Sequence, residues 1–249
     1  MLRLRGNGSE QLQPVEAVAA ELRRPHRERP WVLVNMIGSV DGATDIDGHS
    51  GGLGSAADRE LFRALRAVAD LIVVGAGTVR AEDYGPPSTT DSIRSQRLDR
   101  GQAPDPRLVI VSSRLDLSPQ ARVFSDPDHR PLIATHQGAP SSRRSILDAV
   151  ADVIDVGRDA VDLGAMLAHL HADGARVVVC EGGPTLNASL FGADLVDELC
   201  LTVAPIVVGG SSPRVVDGAG VIQLPFRLDR VFEEDSYLFL RYLRDRSAA

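Results

Sequence analysis

The sequence predicts a single α/β domain with a mainly parallel central sheet, an antiparallel edge and helices on both faces. Short apolar runs, at residues 31–37, 71–74, 108–111 and 177–180, have the length and composition of strands buried on both faces. Segments with apolar residues at helical spacing lie between them, as at residues 56–69. Strands that alternate with helices are typical of a parallel sheet.

The remaining segments extend this pattern along the chain. Residues 1–10 are expected to form a disordered tail and residues 11–24 a helix, which together with the polar break up to residue 28 precede the main domain at 29–245. Residues 132–135 and 153–156 are expected to be strands, and residues 141–150 and 161–172 helices. Residues 84–106 show no periodicity and are expected to form a long connection. Residues 199–204 and 237–243 are expected to close the sheet as antiparallel edge strands.

Composition excludes several classes of function. The net charge of −7 and the pI near 5.4 argue against a nucleic-acid-binding protein, which needs a basic face. No apolar run approaches the roughly 20 residues of a membrane span, and the first residues lack the apolar core of a secretory signal. Cys180 and Cys200 lie in apolar runs and are expected to be free thiols, while His169 and His171 point to different faces of a helix. We therefore expect a cytoplasmic protein without a metal site or a membrane anchor.

The most informative stretch is Cys-Glu-Gly-Gly-Pro-Thr-Leu at residues 180–186. A buried strand ends in a carboxylate, Glu181, and a Gly-Gly turn then leads into a helix with Pro184 at its start. The N–H groups at a helix N-terminus attract anions, and glycines let a phosphate approach the backbone. Glu181 stands at the carboxyl end of a strand, where open α/β sheets bind ligands. The alternative is a tight turn with a solvated glutamate.

Two further turns follow apolar strands, at residues 75–78 and 112–114. In a parallel sheet all three turns lie at one edge, where together they could hold an extended phosphorylated ligand such as a dinucleotide. The Gly75-Ala76-Gly77 turn is not the dinucleotide fingerprint, because Arg80 stands where a third glycine is needed. Ser112, Ser113 and Arg114 suit an extra phosphate, although such residues are also common on surfaces.

Three motifs in this order resemble the reductase domain of the riboflavin-biosynthesis deaminase/reductase proteins, which is similar in fold to dihydrofolate reductase. The motifs are Ser-Val-Asp-Gly at 39–42, Val-Gly-Ala-Gly-Thr-Val at 74–79 and Glu-Gly-Gly-Pro-Thr-Leu at 181–186. The resemblance covers roughly residues 31–243. The zinc signature of the fused deaminase has no match in the chain, so we expect a reductase without that domain.

The resemblance implies a homodimeric, NADPH-dependent reductase of 5-amino-6-ribosylaminouracil 5′-phosphate. It implies substrate-binding roles for Asn35, Ser50, Arg66 and Glu181. Arg66 would bind a phosphate, unless it is only a solvated charge at a helix end. Together with the pattern of turns, it predicts these cofactor-binding residues: Val74, Gly75, Ala76, Gly77, Thr78, Glu82, Ser112, Gly182, Gly183, Pro184, Thr185 and Leu186.

The expected reaction is transfer of a hydride from the nicotinamide to the C=N carbon of an opened ribosylamine. Asp41 and Glu181 are the candidate catalytic residues, because one of them, or a water that it holds, could supply the proton that the nitrogen needs. Asp41 could instead only fix its turn.

The chain departs from the family pattern at two places. Bacterial members usually carry Lys at the position of Asn35, whereas other branches have Asn. Residues 82–87, Glu-Asp-Tyr-Gly-Pro-Pro, lack the Pro and the substrate-contacting Arg that usually follow the acidic pair. This second departure leaves open a dihydrofolate or pterin reductase, and a non-catalytic nucleotide-binding protein is a more distant alternative.

Overall fold

A computed structural model describes residues 2–5, 13–218 and 220–248 of the chain. Its strands are β1 (Leu2–Arg5), β2 (Trp31–Ser39), β3 (Leu71–Gly75), β4 (Arg107–Val111), β5 (Leu132–Thr135), β6 (Asp152–Asp155), β7 (Val177–Cys180), β8 (Glu198–Ala204), β9 (Phe226–Glu234) and β10 (Tyr237–Arg244). Its α-helices are α1 (Pro14–Ala19), α2 (Ala56–Val68), α3 (Ala76–Ala81), α4 (Asp91–Asp99), α5 (Ser141–Leu147), α6 (Leu163–Ala172) and α7 (Pro184–Gly192).

The described strands form one sheet in the order β1-β9-β10-β8-β2-β7-β3-β4-β5-β6. The seven strands from β8 to β6 are parallel, and β10, β9 and β1 add antiparallel pairs at one side. Successive residues of β2 point to opposite faces of the sheet. Leu33 packs in the apolar cluster on one face, and Val32 and Val34 pack in the cluster on the other. Helices α1, α2, α3 and α5 cover the first face and α6 and α7 the second. The predicted fold class is therefore confirmed.

The prediction was wrong at the antiparallel side. The segment 199–204 lies in β8, which is not an edge strand: it runs parallel to β2 and pairs with β10 on its other side. β9 was missed because its sequence alternates charged and apolar residues, including the buried Arg230. Residues 2–5, expected in a disordered tail, form β1 and pair with β9. Residues 6–10 of that tail lie outside the described residues, as do residues 11 and 12 of the first predicted helix.

The connection at residues 84–106 was also predicted wrongly, since it contains α4. This helix has no apolar stripe, and its anchor is a buried cation. The Arg97 side chain is fully buried and donates from Nε to the Ala103 carbonyl and from Nη1 to the carbonyls of Arg66, Ala67 and Ala69 at the end of α2. The last carbonyls of a helix have no partner within the helix, so a side chain must satisfy them when they are buried. α4 thereby fixes the end of α2.

We expect Arg97→Met to lower the free energy of unfolding by about 3 kcal/mol, because it leaves several buried carbonyls without a donor. Urea unfolding of both proteins measures the difference.

Arg100→Met is the matched control. Arg100 is exposed and donates to one of the same carbonyls, that of Ala67, at 2.7 Å. Its loss should cost less than about 1 kcal/mol, because exposed groups are replaced by water at little cost. If the two substitutions lowered the free energy of unfolding equally, the buried position of Arg97 would add nothing to its hold on the end of α2.

Candidate active site

A cavity of about 760 Å³ opens at the carboxyl ends of β2, β7 and β3. Open α/β sheets bind their ligands at this edge. The face of α2 that carries Arg59, Phe62 and Arg66 forms one wall, and residues 44–54 and 82–86 contribute to the rim. Twelve of the residues predicted for the site line it: Asn35, Ser50, Arg66, Gly75, Gly77, Thr78, Glu82, Glu181, Gly183, Pro184, Thr185 and Leu186.

The two glycine turns meet at the floor of the cavity. The Gly75 N–H donates to the Gly182 carbonyl at 2.8 Å, and a Cβ atom added to Gly183 would lie only 2.6 Å from Thr78 Oγ1. A side chain at position 183 would have to displace the Thr78 hydroxyl, so the contact with the neighbouring turn favours glycine there. Gly183 is also the N-cap of α7, and Pro184 occupies its first turn. The prediction that these turns lie together at one edge of the sheet is confirmed.

Glu181 is the best-anchored polar group in the cavity. Its carboxylate is almost fully buried and accepts two hydrogen bonds from Arg66, from Nε to Oε1 at 2.6 Å and from Nη2 to Oε2 at 2.7 Å. The Tyr84 hydroxyl donates a third, to Oε2, at 2.8 Å. A carboxylate has about four acceptor sites, so one site, on Oε1, is left for a ligand. Glu181 is thus oriented to accept a hydrogen bond from a donor in the cavity.

Two aromatic rings lie near the guanidinium of Arg66. The guanidinium carbon lies 4.2 Å from the centroid of the Phe62 ring and 5.9 Å from that of Tyr84. Burial works to lower the pKa of Arg66, but the charge of Glu181 and its hydrogen bonds outweigh it and raise the pKa. The guanidinium thus pairs with a carboxylate of the protein itself, and the predicted role of Arg66 toward a phosphate stays a prediction.

Tyr84 was not among the site residues predicted from the sequence. The segment 82–87 stood out there only because it lacks the Pro and the Arg that are usual in the family. Burial and the negative charge of Glu181 raise the pKa of the Tyr84 phenol well above its usual range, although Arg66 opposes this. The hydroxyl stays protonated as a donor at neutral pH. The Tyr84 backbone N–H also donates, to the Val79 carbonyl at the end of α3, at 3.1 Å. An aromatic residue directly after the acidic pair was the available signal.

Three other predicted residues have defined positions. Glu82 accepts a hydrogen bond through Oε1 from the Ser50 backbone N–H, at 2.8 Å, and so ties the loop at 48–52 to the end of α3. Asn35 lies near the middle of β2, is half-buried and lines the cavity. Their binding roles stay predictions.

Asp41 lies outside the cavity lining, in an exposed turn. Its carboxylate accepts hydrogen bonds from the Ser39 hydroxyl at 2.5 Å and from the backbone N–H groups of Val208 and Gly209 at 3.1 and 2.7 Å. The Ser39 hydroxyl first, and then the two N–H groups, lower the pKa of Asp41 to about 2. A carboxyl with this pKa holds almost no proton at neutral pH, so the geometry favours the alternative, that Asp41 fixes its turn.

The other predicted cofactor residues, Val74, Ala76, Gly182 and Ser112, do not line the cavity. Val74 is buried in β3, and Ala76 and Gly182 belong to the two glycine turns. Ser112 is buried after β4, where its N–H donates to the Ala134 carbonyl. Within the described residues there is no group of three or more His, Cys, Asp or Glu side chains that could hold a metal ion, and no helix has the length and hydropathy needed to cross a membrane.

Comparison with known proteins identifies the family. The family model of the RibD C-terminal domain matches residues 30–238. The chain belongs to this family. The predicted resemblance is therefore confirmed over nearly the expected range, and the RibD C-terminal domain contains every element from β2 to β9.

Relatives of this RibD C-terminal domain are named as pyrimidine reductases or as the riboflavin biosynthesis protein RibD. A 2,5-diamino-6-ribosylamino-4(3H)-pyrimidinone 5′-phosphate reductase from Archaeoglobus fulgidus is 36% identical over 197 residues, which are 78% of this chain and 90% of the relative. RibD from Mycobacterium tuberculosis is 32% identical over 79% of this chain and 49% of its own length. A solved pyrimidine reductase-like protein from Corynebacterium diphtheriae is 28% identical, with a TM-score of 0.85 over 94% of this chain and all of that one. The predicted class of enzyme, a pyrimidine reductase, is confirmed.

We expect Tyr84→Phe to lower kcat/KM about tenfold, because a hydrogen bond to a charged group contributes roughly 1.5 kcal/mol or more. Steady-state oxidation of the reduced cofactor measures this. Since the phenol does not ionise below pH 10, the pH profile of the variant should keep the shape of the wild-type profile. If the dependence of kcat/KM on pH lost its rising or its falling side in Tyr84→Phe, the phenol itself would titrate during turnover, contrary to this prediction.

We expect Asp41→Ala to leave kcat close to the wild-type value while lowering the thermal midpoint at neutral pH. A lowered pKa stabilises the fold above the ordinary carboxyl value of about 4. The difference in midpoint between the variant and the wild type should therefore shrink as the pH falls from about 4 towards about 2. Loss of turnover with an unchanged midpoint would restore Asp41 as a catalytic residue.

Proposed function

We propose that this protein is an NADPH-dependent reductase of a 6-ribosylaminopyrimidine 5′-phosphate in riboflavin biosynthesis. The observation that carries the proposal is the buried carboxylate of Glu181, anchored by Arg66 and Tyr84 beside two glycine turns in a cavity of the RibD C-terminal fold. A protein that only binds a nucleotide has no need of an anchored carboxylate at the floor of the cavity. The homodimer that the resemblance implies and the cytoplasmic location expected from the composition stay part of this proposal.

The residues at the glycine turns fit a dinucleotide. α7 is a nine-residue helix whose N-terminus, with Gly183 as N-cap, borders the cavity, and its first N–H groups suit a pyrophosphate. Thr78 and Thr185 add hydroxyl groups on either side of the turn. When NADPH is bound, its nicotinamide supplies the hydride. We propose that Ser112 and Arg114, at the end of the neighbouring strand β4, bind the extra phosphate that distinguishes NADPH from NADH.

The chain's own residues orient the substrate. The free acceptor site of Glu181 suits a ring N–H or an amino group of the pyrimidine, which places the ribosylamine nitrogen and carbon 1′ of the sugar within the cavity. Hydride addition to carbon 1′ of the C=N bond requires one proton at the nitrogen. Glu181 is paired with Arg66, so a water that the carboxylate holds is the proton source that we propose. Solvent reaches the cavity past the exposed residues Gly48 and Gly51.

The pyrimidine has two candidate forms. The family resemblance implies the uracil, whereas the relatives at 33–36% identity are named for the 2,5-diamino-pyrimidinone, which carries an amino group in place of the ring's 2-oxygen. The amino group is an additional donor for Glu181. We therefore place the diamino form first, and competition between the two forms in one assay ranks them.

A dihydrofolate or pterin reductase is the second candidate. It is favoured by one observation: the guanidinium of Arg66, predicted to bind the substrate's phosphate, is paired with Glu181. A pterin has no phosphate to bind, and its amino group could reach the same carboxylate. Turnover of dihydrofolate without turnover of either ribosylamine would move the function to this class.

Glu181→Gln tests the proposed role. We expect this variant to lose roughly 100-fold or more in kcat, because an amide in place of the carboxylate weakens a preorganised charged contact. The affinity for NADPH, measured by calorimetric titration, should be unchanged, because the glycine turns are intact.

Glu82→Gln is a control carboxylate in the same cavity. Its Oε1 holds the Ser50 N–H, which an amide oxygen can also do, so kcat should fall far less than in Glu181→Gln. Full turnover by Glu181→Gln would contradict the proposed role of Glu181. If the wild-type protein did not bind NADPH, its function as an NADPH-dependent reductase would be contradicted.

A further inference from the structure

The cavity has few cations with which to bind a phosphate. The chain contains no lysine, and the cationic side chains lining the cavity within the described part of the chain are Arg59, Arg66 and Arg122. A phosphate monoester carries a charge of about −1.5 to −2 at neutral pH and is best bound by an arginine with free N–H groups. The arginine that would bind the substrate's phosphate must therefore be one of these three, or the site has none.

Two of the three are engaged. Arg66 donates two of its five N–H groups to Glu181 and lies beside the rings of Phe62 and Tyr84, so its charge is already paired. Arg122 is exposed and lies against the rim segment, where Nε donates to Asp83 Oδ2 at 3.0 Å and Nη2 donates to the Asp83 carbonyl. A Cβ atom added to Gly85 would lie 2.8 Å from Arg122 Nη1, so this guanidinium packs directly on the backbone of the rim.

Arg59 is the remaining cation. Its residue is exposed at the cavity, and none of the described residues forms a hydrogen bond or an ion pair with its guanidinium. The charges next to it in sequence are those of Asp58 and Glu60, and Asp58 interacts with it electrostatically. Asp58 also lines the cavity, but it forms no hydrogen bond or ion pair with Arg59 within the described residues. The guanidinium of Arg59 is thus available to an anion.

The spacing along α2 fits the substrate. Arg59, Phe62 and Arg66 lie on the same face of the helix, at positions i, i+3 and i+7, and all line the cavity. Seven residues of helix separate Arg59 from Arg66 by about 10.5 Å along its axis. An opened pentose phosphate of seven bonds spans roughly 9 Å at ordinary single-bond lengths. A pyrimidine held at the Glu181–Arg66 pair can therefore reach Arg59 with its 5′-phosphate, about two turns back along α2.

We propose that Arg59 binds the 5′-phosphate of the substrate and so selects phosphorylated ribosylamines. This inference rests on the proposed function. It assigns the selection of the phosphate to α2, in place of the arginine that residues 82–87 lack.

The test compares the phosphorylated ribosylamine with its dephosphorylated form. We expect Arg59→Gln to raise KM for the phosphorylated substrate about tenfold or more, the loss of one charge-assisted hydrogen bond, and to leave kcat/KM for the dephosphorylated form unchanged. Arg59→Lys keeps the positive charge and should therefore keep part of the preference for the phosphorylated over the dephosphorylated ribosylamine.

Arg63→Gln is the matched control, because Arg63 is an exposed arginine one turn further along α2 and does not line the cavity. It should behave like the wild type. Arg122→Gln is the rival variant. The proposal is overturned if Arg122→Gln alone loses the discrimination, if Arg59→Gln affects both forms equally, or if the wild type does not prefer the phosphorylated form.

Failure of the proposed function is visible separately, as no oxidation of NADPH by the wild type with either ribosylamine. Calorimetric titration with D-ribose 5-phosphate then tests Arg59 alone. Binding that is about tenfold weaker in Arg59→Gln than in Arg63→Gln supports the phosphate site without the reaction. Absence of binding to the wild type, or equal binding to the two variants, overturns it.

Discussion

The close contact between the turns after β3 and β7 is the constraint on which the site depends. The Gly75 N–H bonds to the Gly182 carbonyl, and a side chain at position 183 would have to displace the Thr78 hydroxyl. The contact brings the start of α7 beside the end of β3 and puts Glu181, the last residue before the turn, at the floor of the cavity. Parallel strands make this possible, because their carboxyl ends reach the same edge.

The long-range contacts around Glu181 then join three parts of the chain. Arg66 comes from the last turn of α2, Tyr84 from the rim and Glu181 from the end of β7. Arg97 fixes the end of α2 from outside, through the carbonyl of Arg66 itself. The orientation of the carboxylate therefore depends on a fully buried cation in α4, which lies in the connection between β3 and β4.

The parallel part of the sheet and the glycine turns could be predicted because their signals are local: apolar runs of strand length and glycines at strand ends. β9 and α4 could not be predicted in this way. Each is held in the core by a buried arginine, Arg230 in β9 and Arg97 in α4, where an apolar residue would be expected, and the carbonyls that Arg97 binds in α2 are distant in sequence. The pairing of Arg66 with Glu181 joins residues 115 positions apart, so spacing gave no sign of it. The resemblance identified both residues, but it assigned Arg66 to a phosphate.

Tyr84 joins two parts of the molecule through two different atoms. Its backbone N–H donates to the Val79 carbonyl of α3, and its hydroxyl donates to Glu181. A proline at this position would have neither the N–H nor the hydroxyl, so the end of α3 and the carboxylate in the cavity would lose support together.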